Sequence, residues 1–327
     1  MLSKTFHMSV GATGRGSSRR RRRLAGWMCC AGLVVVVTVV FAGGYLVAAP
    51  SDDAPLDEIL RRAGTYVSQV ERDLTTVIAD ESYDQRVELP TLRLGAPSKR
   101  VMRSEIIFIW IPDERVLLSV RNVLDVDGKA IPDSGDRLQQ ALKAPPDART
   151  SRLKQLLDEG ARFNLGPVIR NAAEPALPLE FLDPRFQPRF TFALAGFERT
   201  DGADVARISF AERERPTVIT DRGTDVFSNG MLWVRVSDGV VLRAEVAATI
   251  PTPRNLAVSI TVSFAHDPKL DMWVPARMNE RYQQSYSLWL PNSGIAMPSS
   301  RYVTINCVAR YSNFRRFETS GRVVSPK

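Results

Sequence analysis

The chain has 327 residues, enough for one large domain or two small ones, and its formal net charge is +8. Seven of its 44 basic residues lie before residue 24, where no acidic residue occurs, so the remaining 37 are nearly balanced by 36 acidic residues. A folded part this close to neutral lacks the general basic excess of a nucleic-acid-binding domain, although a local basic stripe is compatible with it. The composition therefore predicts no nucleic-acid partner.

The N-terminal segment begins with a polar, glycine-rich and basic stretch at residues 1–23, a composition typical of a disordered cytoplasmic tail. Residues 24–49 follow without a single charged residue, and about 20 apolar residues suffice to cross a bilayer. Arginines before such a span hold the N-terminus in the cytoplasm. We expect a single-pass inner-membrane anchor with the main domain in the periplasm, or a signal peptide whose cleavage releases that domain into the periplasm.

The remaining residues, 50–327, form the predicted exported domain. Cys307 is its only cysteine, so no disulfide can form within it and packing alone must stabilise the fold. Cys307 occupies an apolar position in an alternating segment. That position favours a small buried hydrophobic residue over a nucleophile.

Two long segments have the spacing of amphipathic helices. The first is PLDEILRRAGTYVSQVERDLTTVIADE, in which apolar residues recur at helical intervals from Leu56 to Ile78. The second is DARTSRLKQLLDEGARF at residues 147–163, and residues 175–182 are compatible with a short helical turn. The apolar stripe of the first helix must lie against another apolar surface.

Most of the domain is predicted to form β-strands. Residues 101–111 and 116–126 are predicted strands, and seven more follow at 189–199, 205–213, 231–236, 240–248, 256–264, 273–282 and 302–311. Short turns such as Ser237-Asp238-Gly239 connect several of them, which indicates an antiparallel meander. One-sided alternation indicates that one face of the sheet is covered. The predicted fold is α+β, a large curved antiparallel sheet whose concave face is covered by the two helices.

Several of these stretches resemble known exported proteins. The segments GMLWVRVSDGVVLRAEV, LDMWVPARMNERY and ARYSNFRRF resemble the outer-membrane lipoprotein-sorting half-barrels of the LolA/LolB type. The stretches ARFNLGPVIRN, ERPTVI, WVPARMNERY and YSNFRRF resemble a group of exported bacterial proteins without an assigned activity. The resemblance implies a half-barrel with helices over a hydrophobic cavity and a lipid or lipoprotein ligand. The domain is longer than those carriers, and an anchored copy could not shuttle freely.

The sequence offers little that supports catalysis, and it predicts a protein that is not an enzyme. His266 is the only histidine after the N-terminal tail, and the sequence contains no P-loop, GxGxxG or CxxC motif. His266, Asp267 and Asp271 are more typical of a solvated turn than of a catalytic or metal site. We therefore expect no catalytic residue, no metal ligand and no cofactor. A hydrolase that uses two carboxylates stays open, because acidic residues are plentiful.

The predicted function is the binding of an apolar or lipidated ligand, or of a protein partner, by a non-enzymatic cell-envelope protein. The hydrocarbon of the ligand would be buried on the concave face of the half-barrel. The tryptophans at positions 110, 233, 273 and 289 either line a ligand cavity or belong to the core. The candidate ligand-binding residues are Met231, Trp233, Leu242, Val258, Ile260, Met278 and Ile305. A membrane-anchored structural or assembly module with a filled core is the alternative.

Overall fold

The computed structural model describes residues 55–88, 98–111, 116–168, 170, 174–251, 255–286, 301–318 and 322–323. The predicted tail at 1–23 and the predicted anchor at 24–49 lie outside the described residues, as does Trp289. Within the described ranges, no helix is both long and apolar enough to cross a membrane.

Four α-helices and fourteen strands are seen in these ranges. The helices are α1 (Leu56–Leu74), α2 (Ser134–Lys143), α3 (Pro146–Ala161) and α4 (Leu177–Glu180). The strands are β1 (Val77–Glu88), β2 (Lys99–Ile111), β3 (Val116–Val126), β4 (Lys129–Ala130), β5 (Phe190–Thr200), β6 (Ala203–Glu212), β7 (Ile219–Asp221), β8 (Thr224–Val226), β9 (Ser228–Arg235), β10 (Val241–Ile250), β11 (Leu256–Asp267), β12 (Met272–Tyr286), β13 (Arg301–Glu318) and β14 (Arg322–Val323).

One antiparallel sheet contains twelve of the strands, and the side-by-side order is β4-β3-β2-β1-β13-β12-β11-β10-β9-β6-β5, with β14 attached to β13. The order describes two meanders that meet where β1 pairs with β13. In the described residues β4 and β5 are the two ends, so the sheet is not closed. The α+β half-barrel architecture predicted from the sequence is present. Strands β7 and β8 form a separate hairpin.

The two faces of the sheet differ in burial as the alternation predicted. We call the side that carries α1 the inner face and the opposite side the outer face. On β11, for example, Val258, Ile260 and Val262 are buried on the inner face, whereas Ala257 and Ser259 are exposed on the outer face. A single apolar core lies between the inner face and α1.

Helix α1 forms because Ile59, Ala63, Val67, Val70 and Leu74 recur every three or four residues and produce one continuous buried stripe. Acidic side chains in its first turn and a basic one in its last turn complement the helix dipole. The helix ends at Leu74.

The prediction of a helix that continues to Ile78 was wrong, because Val77 and Ile78 belong to β1. Their spacing from Leu74 is compatible with a helix, but they form a strand because they pair with β2 and β13. This strand escaped the sequence analysis because Glu81 and Gln85 lie on its buried face and interrupt the apolar alternation.

The position of the second helix also differs from the prediction. Helix α3 was expected to cover the same face as α1, but it packs with α2 on the outer face of β1, β2 and β3. Leu153 and Leu156 of α3 meet Ile78, Ile107 and Val120 in a separate small core. The first meander is therefore covered on both sides. The cover of the inner face includes α1, the segment around α4, residues 165–168 with Arg170, and the β7–β8 hairpin.

Candidate functional site

A cleft of about 500 Å³ opens between the C-terminal end of α1, the end of β2 and the turn after α4. Its volume lies within the range of small-molecule binding sites in proteins. The cleft is lined by Ser68, Glu71, Arg72, Thr75, Trp110, Asp183, Pro184 and Arg185. It lies at the edge of the apolar core that α1 covers.

Arg185 organises the polar side of this cleft. Its Nε and Nη2 donate hydrogen bonds of 2.7 and 2.6 Å to the two carboxylate oxygens of Asp183, and its Nη2 also donates to Oε2 of Glu71 at 2.9 Å. The hydrogen bonds to Asp183 raise the pKa of the Arg185 guanidinium. Because Glu71 and Asp183 are nearly inaccessible to solvent, this fork ties the 183–185 turn to α1.

Trp110 forms the apolar wall of the cleft. It lies on the same side of β2 as the buried Ile106 and Phe108, yet 38% of its surface is exposed. The guanidinium carbon of Arg185 lies 4.9 Å from the centre of the indole ring, a cation–π distance. The sequence singled out Trp110 as a candidate cavity residue, and the structure places it in the cleft.

Elsewhere on the inner face, the described strands carry mostly buried apolar side chains. The β7–β8 hairpin borders an apolar gap of about 10 Å³, which corresponds to roughly one water molecule. The gap is lined by Ile219, Val226, Val246, Ala248, Ile250, Val258 and Ile260. The hairpin segment is held by Glu212, whose carboxylate accepts hydrogen bonds from the backbone N–H groups of Val218 and Ser228 at 2.7 and 3.3 Å. Burial raises the pKa of Glu212.

The inner face also contains a buried polar network that the sequence did not predict. Glu280 accepts hydrogen bonds from the phenols of Tyr83 and Tyr282 at 2.6 and 2.7 Å. Arg170 donates from Nε to the Tyr83 oxygen at 3.3 Å and from Nη2 to Oε1 of Gln85. Burial raises the pKa of both tyrosines. All members are buried, so the network belongs to the core of the domain.

The seven predicted ligand-binding residues do not converge on one site. Met231 and Trp233 lie on the outer face and are half-buried, and Leu242 is the half-buried extra residue of a bulge opposite β9. The other four lie in the inner-face core, each at most 8% exposed: Val258, Ile260, Met278 and Ile305. Val258 and Ile260 border the small gap beneath the β7–β8 hairpin. Their role in ligand binding stays a prediction.

The other side chains with potential reactivity are either buried in the core or form contacts within a turn. Cys307 is 1% exposed, and burial raises the pKa of its thiol to about 11, so the reactive thiolate is disfavoured. His266 is exposed, with Nε2 at 3.1 Å from Oδ1 of Asp271, while Asp267 accepts backbone hydrogen bonds from Lys269 and Leu270. Across the described residues, no group of three or more potential metal ligands is found.

Sequence reasoning missed the polar side of the cleft. Glu71 was not singled out in α1, and Asp183 and Arg185 lie in a short connecting segment without a recognisable motif. The available signal was an acidic residue next to the apolar stripe of α1, together with Asp-Pro-Arg after a helical turn. The pairing of these groups depends on a contact between residues 114 positions apart.

No protein-family model and no curated protein matches the chain by sequence. Among solved structures, a DUF1329 family protein from Desulfovibrio piger aligns over 80% of this chain and 93% of its own, with 13% identity and a TM-score of 0.35. A LolA superfamily protein from Nitrosomonas europaea aligns over 80% and 93%, with 14% identity and a TM-score of 0.28.

A domain described as an outer membrane lipoprotein-sorting protein from Vibrio parahaemolyticus aligns over 77% of this chain and 92% of its own, with 12% identity and a TM-score of 0.30. The structural neighbours are thus DUF1329 and LolA-superfamily proteins, as the sequence resemblance predicted. The function has to be argued from the chain's own residues.

Proposed function

We propose that this protein is a non-enzymatic component of the cell envelope that binds the hydrocarbon part of an amphiphile, a lipid or a lipidated polypeptide, in the cleft beside α1. The observation that carries the proposal is the partly exposed side chain of Trp110 in a cleft of about 500 Å³ at the edge of the apolar core. An apolar surface that stays accessible at the edge of a packed core is typical of a ligand site.

The driving force would be removal of hydrocarbon from water. Each CH₂ group buried against Trp110 and Pro184 would contribute about 0.8 kcal/mol before the costs of ordering the ligand. A long acyl chain of about twelve methylene groups could therefore contribute roughly 10 kcal/mol before those costs, without a specific polar contact.

The charges at the rim favour an amphiphile whose polar end stays at the surface. Arg185 is already paired with Asp183 and Glu71, whereas Arg72 at the rim donates to Oε1 of Gln69 at 2.6 Å and forms no ion pair with any described residue. A long basic side chain at the edge of an apolar cleft can contact a headgroup while its stem covers hydrocarbon. The same commitment of Asp183 and Glu71 to one arginine argues against a carboxylate-pair hydrolase at this cleft, because its acid must be free to donate a proton.

The proposal is tested by photo-crosslinking. The full chain is reconstituted in vesicles that contain a phospholipid with a diazirine in its acyl chain, and the adducts are mapped by mass spectrometry after irradiation. We expect adducts on the cleft segments, residues 68–75, 110 and 183–185. The variant Ser68→Phe fills the cleft and should lower these adducts severalfold relative to adducts elsewhere in the chain.

The matched control is Thr65→Phe, which places the same ring on the exposed side of α1, less than one turn away. The control should retain the cleft adducts. Equal adduct yields in Ser68→Phe and Thr65→Phe, or adducts that avoid the cleft segments, would refute the proposal and favour the structural module with a filled core.

A further inference from the structure

The outer face of the sheet carries a group of arginines that the register of β1, β12 and β13 brings together. Arg277 on β12 lies directly opposite Arg310 on β13. One step further, Asn306 of β13 lies between Arg281 of β12 and Arg86 of β1. We call Arg86, Arg277, Arg281 and Arg310 the four-arginine cluster. All four side chains are exposed.

The charges of this cluster are only partly balanced. Arg310 donates from Nη1 to Oδ2 of Asp84 at 2.8 Å. Arg86, Arg277 and Arg281 form no ion pair with any residue that the structure describes, and the Nε of Arg277 donates only to the side chain of Asn279, at 3.1 Å. Like charges directly opposite each other on neighbouring strands are destabilising. Asp84 offsets only the charge of Arg310, so an external anion bound beside Arg277 would relieve the remaining repulsion.

The surroundings of the cluster fit an extended planar surface better than a small ligand. The residues directly opposite three of the arginines on β1 and β11 are serines, with Ser82 opposite Arg310, Ser259 opposite Arg281 and Ser263 opposite Arg277, while Asn306 donates to Oε1 of Glu88 at 3.0 Å. The arginines therefore project above their neighbours. Further along the outer face of β13, Tyr302 is 53% exposed. Arginine together with exposed tyrosine is the combination that proteins place at the level of lipid headgroups.

We propose that the four-arginine cluster docks the domain on an anionic phospholipid surface through its outer face. The arginines bind headgroup phosphates, and Tyr302 lies at the interface. This contact is separate from the cleft, which lies on the other side of the sheet, and it does not depend on which ligand the cleft binds. The amino-acid composition does not reveal this local basic surface, because the total charge of the domain is close to zero.

The test measures how closely the outer face approaches a bilayer. The full chain with Cys29→Ser, Cys30→Ser and Ser259→Cys carries a donor dye at the exposed position 259, since Cys307 is buried. Energy transfer to a headgroup-labelled acceptor lipid is compared in phosphatidylcholine vesicles with and without about 30% phosphatidylglycerol. We expect stronger transfer in the anionic vesicles and its loss at high salt, because mobile ions screen exposed charges.

The double variant Arg277→Gln with Arg281→Gln should lower the ratio of docked to undocked protein about 25-fold, roughly fivefold for each arginine removed. The control Arg199→Gln with Arg213→Gln changes the net charge equally at exposed positions away from the cluster and should behave as the parent. The proposal is overturned by transfer that is independent of phosphatidylglycerol or of the arginine pair. It is also overturned if a single-stranded oligonucleotide binds the cluster while the vesicles do not.

Discussion

The phenol of Tyr83 donates a 2.6 Å hydrogen bond to Oε2 of Glu280, although β13 separates the two strands that carry them. Both side chains are buried on the inner face, where the predicted surface was purely apolar. The carboxylate of Glu280 is tolerated there because two phenols donate to it and Arg170 lies next to them. A buried charge requires such partners.

The substitution Tyr83→Phe should lower the free energy of unfolding by about 1–3 kcal/mol, because it removes a donor from a buried carboxylate while it preserves the ring. Urea unfolding followed by circular dichroism measures the change. Tyr302→Phe is the control, since Tyr302 is 53% exposed, and it should have little effect. A loss from Tyr83→Phe as small as that of the control would show that the network does not stabilise the fold.

The ion pair between Arg121 and Glu81 supplies a second prediction. Nη2 of Arg121 donates to Oε1 of Glu81 at 2.6 Å, both side chains are buried, and the guanidinium carbon lies 4.5 Å from the centre of the Tyr83 ring. Arg121→Met leaves the carboxylate of Glu81 buried without its partner and should cost about 3–5 kcal/mol of unfolding free energy.

The double variant Glu81→Gln with Arg121→Met removes both charges and should recover part of that loss. Unfolding curves of the parent, both single variants and the double variant form the required cycle. Simple addition of the two single losses would contradict a coupled pair.

The raised pKa of Glu212 predicts a pH dependence of stability. Since the folded pKa lies above the ordinary value of 4.5, the stabilising contribution of Glu212 is complete below that value and is lost as the pH rises through the folded pKa. In Glu212→Gln this loss is absent. As the pH rises from below 4.5 to neutrality, the unfolding free energy of the parent should therefore fall relative to that of Glu212→Gln.

Denaturant unfolding at several pH values checks the sign. The variant also weakens the acceptors for the N–H groups of Val218 and Ser228, which lowers its stability at every pH. The diagnostic quantity is therefore the slope of the difference with pH. A difference that moves in the opposite direction would show that the hydrogen bonds to the carboxylate outweigh its burial.

The contact between α1 and the β9–β10 turn predicts a strong effect at Gly239. Gly239 has a φ of 77°, and a Cβ there would lie 2.3 Å from the backbone N of Ala63 and from the carbonyl carbon of Arg62. Gly202→Ala is a matched control, because Gly202 has a φ of 80° with nothing within 4 Å of the added atom. The control should cost about 1–2 kcal/mol from the backbone conformation alone.

Gly239→Ala should cost clearly more than Gly202→Ala, because α1 must also shift away from the turn. Thermal or urea unfolding of the two variants gives the comparison directly. Equal losses would mean that the turn and α1 separate without penalty. In that case the docking of α1 would contribute little to the stability of the domain.

The sequence by itself determined the helices and strands whose apolar residues recur at regular intervals. The stripe from Ile59 to Leu74 predicted α1, and the alternation on β11 and β13 predicted which side of each strand is buried. These predictions succeed because side-chain direction follows from backbone geometry alone. The burial of Cys307 followed from the same argument.

Only the tertiary structure decided which surfaces meet. It assigned Val77 and Ile78 to a strand, placed α3 on the outer face, and filled the inner face with Glu280 and its partners. It also brought Trp110 and Arg185 together in the cleft, and set Arg277 against Arg310. Each of these depends on pairing between strands or segments distant in sequence, and the apolar period of a single segment holds no information about its partner.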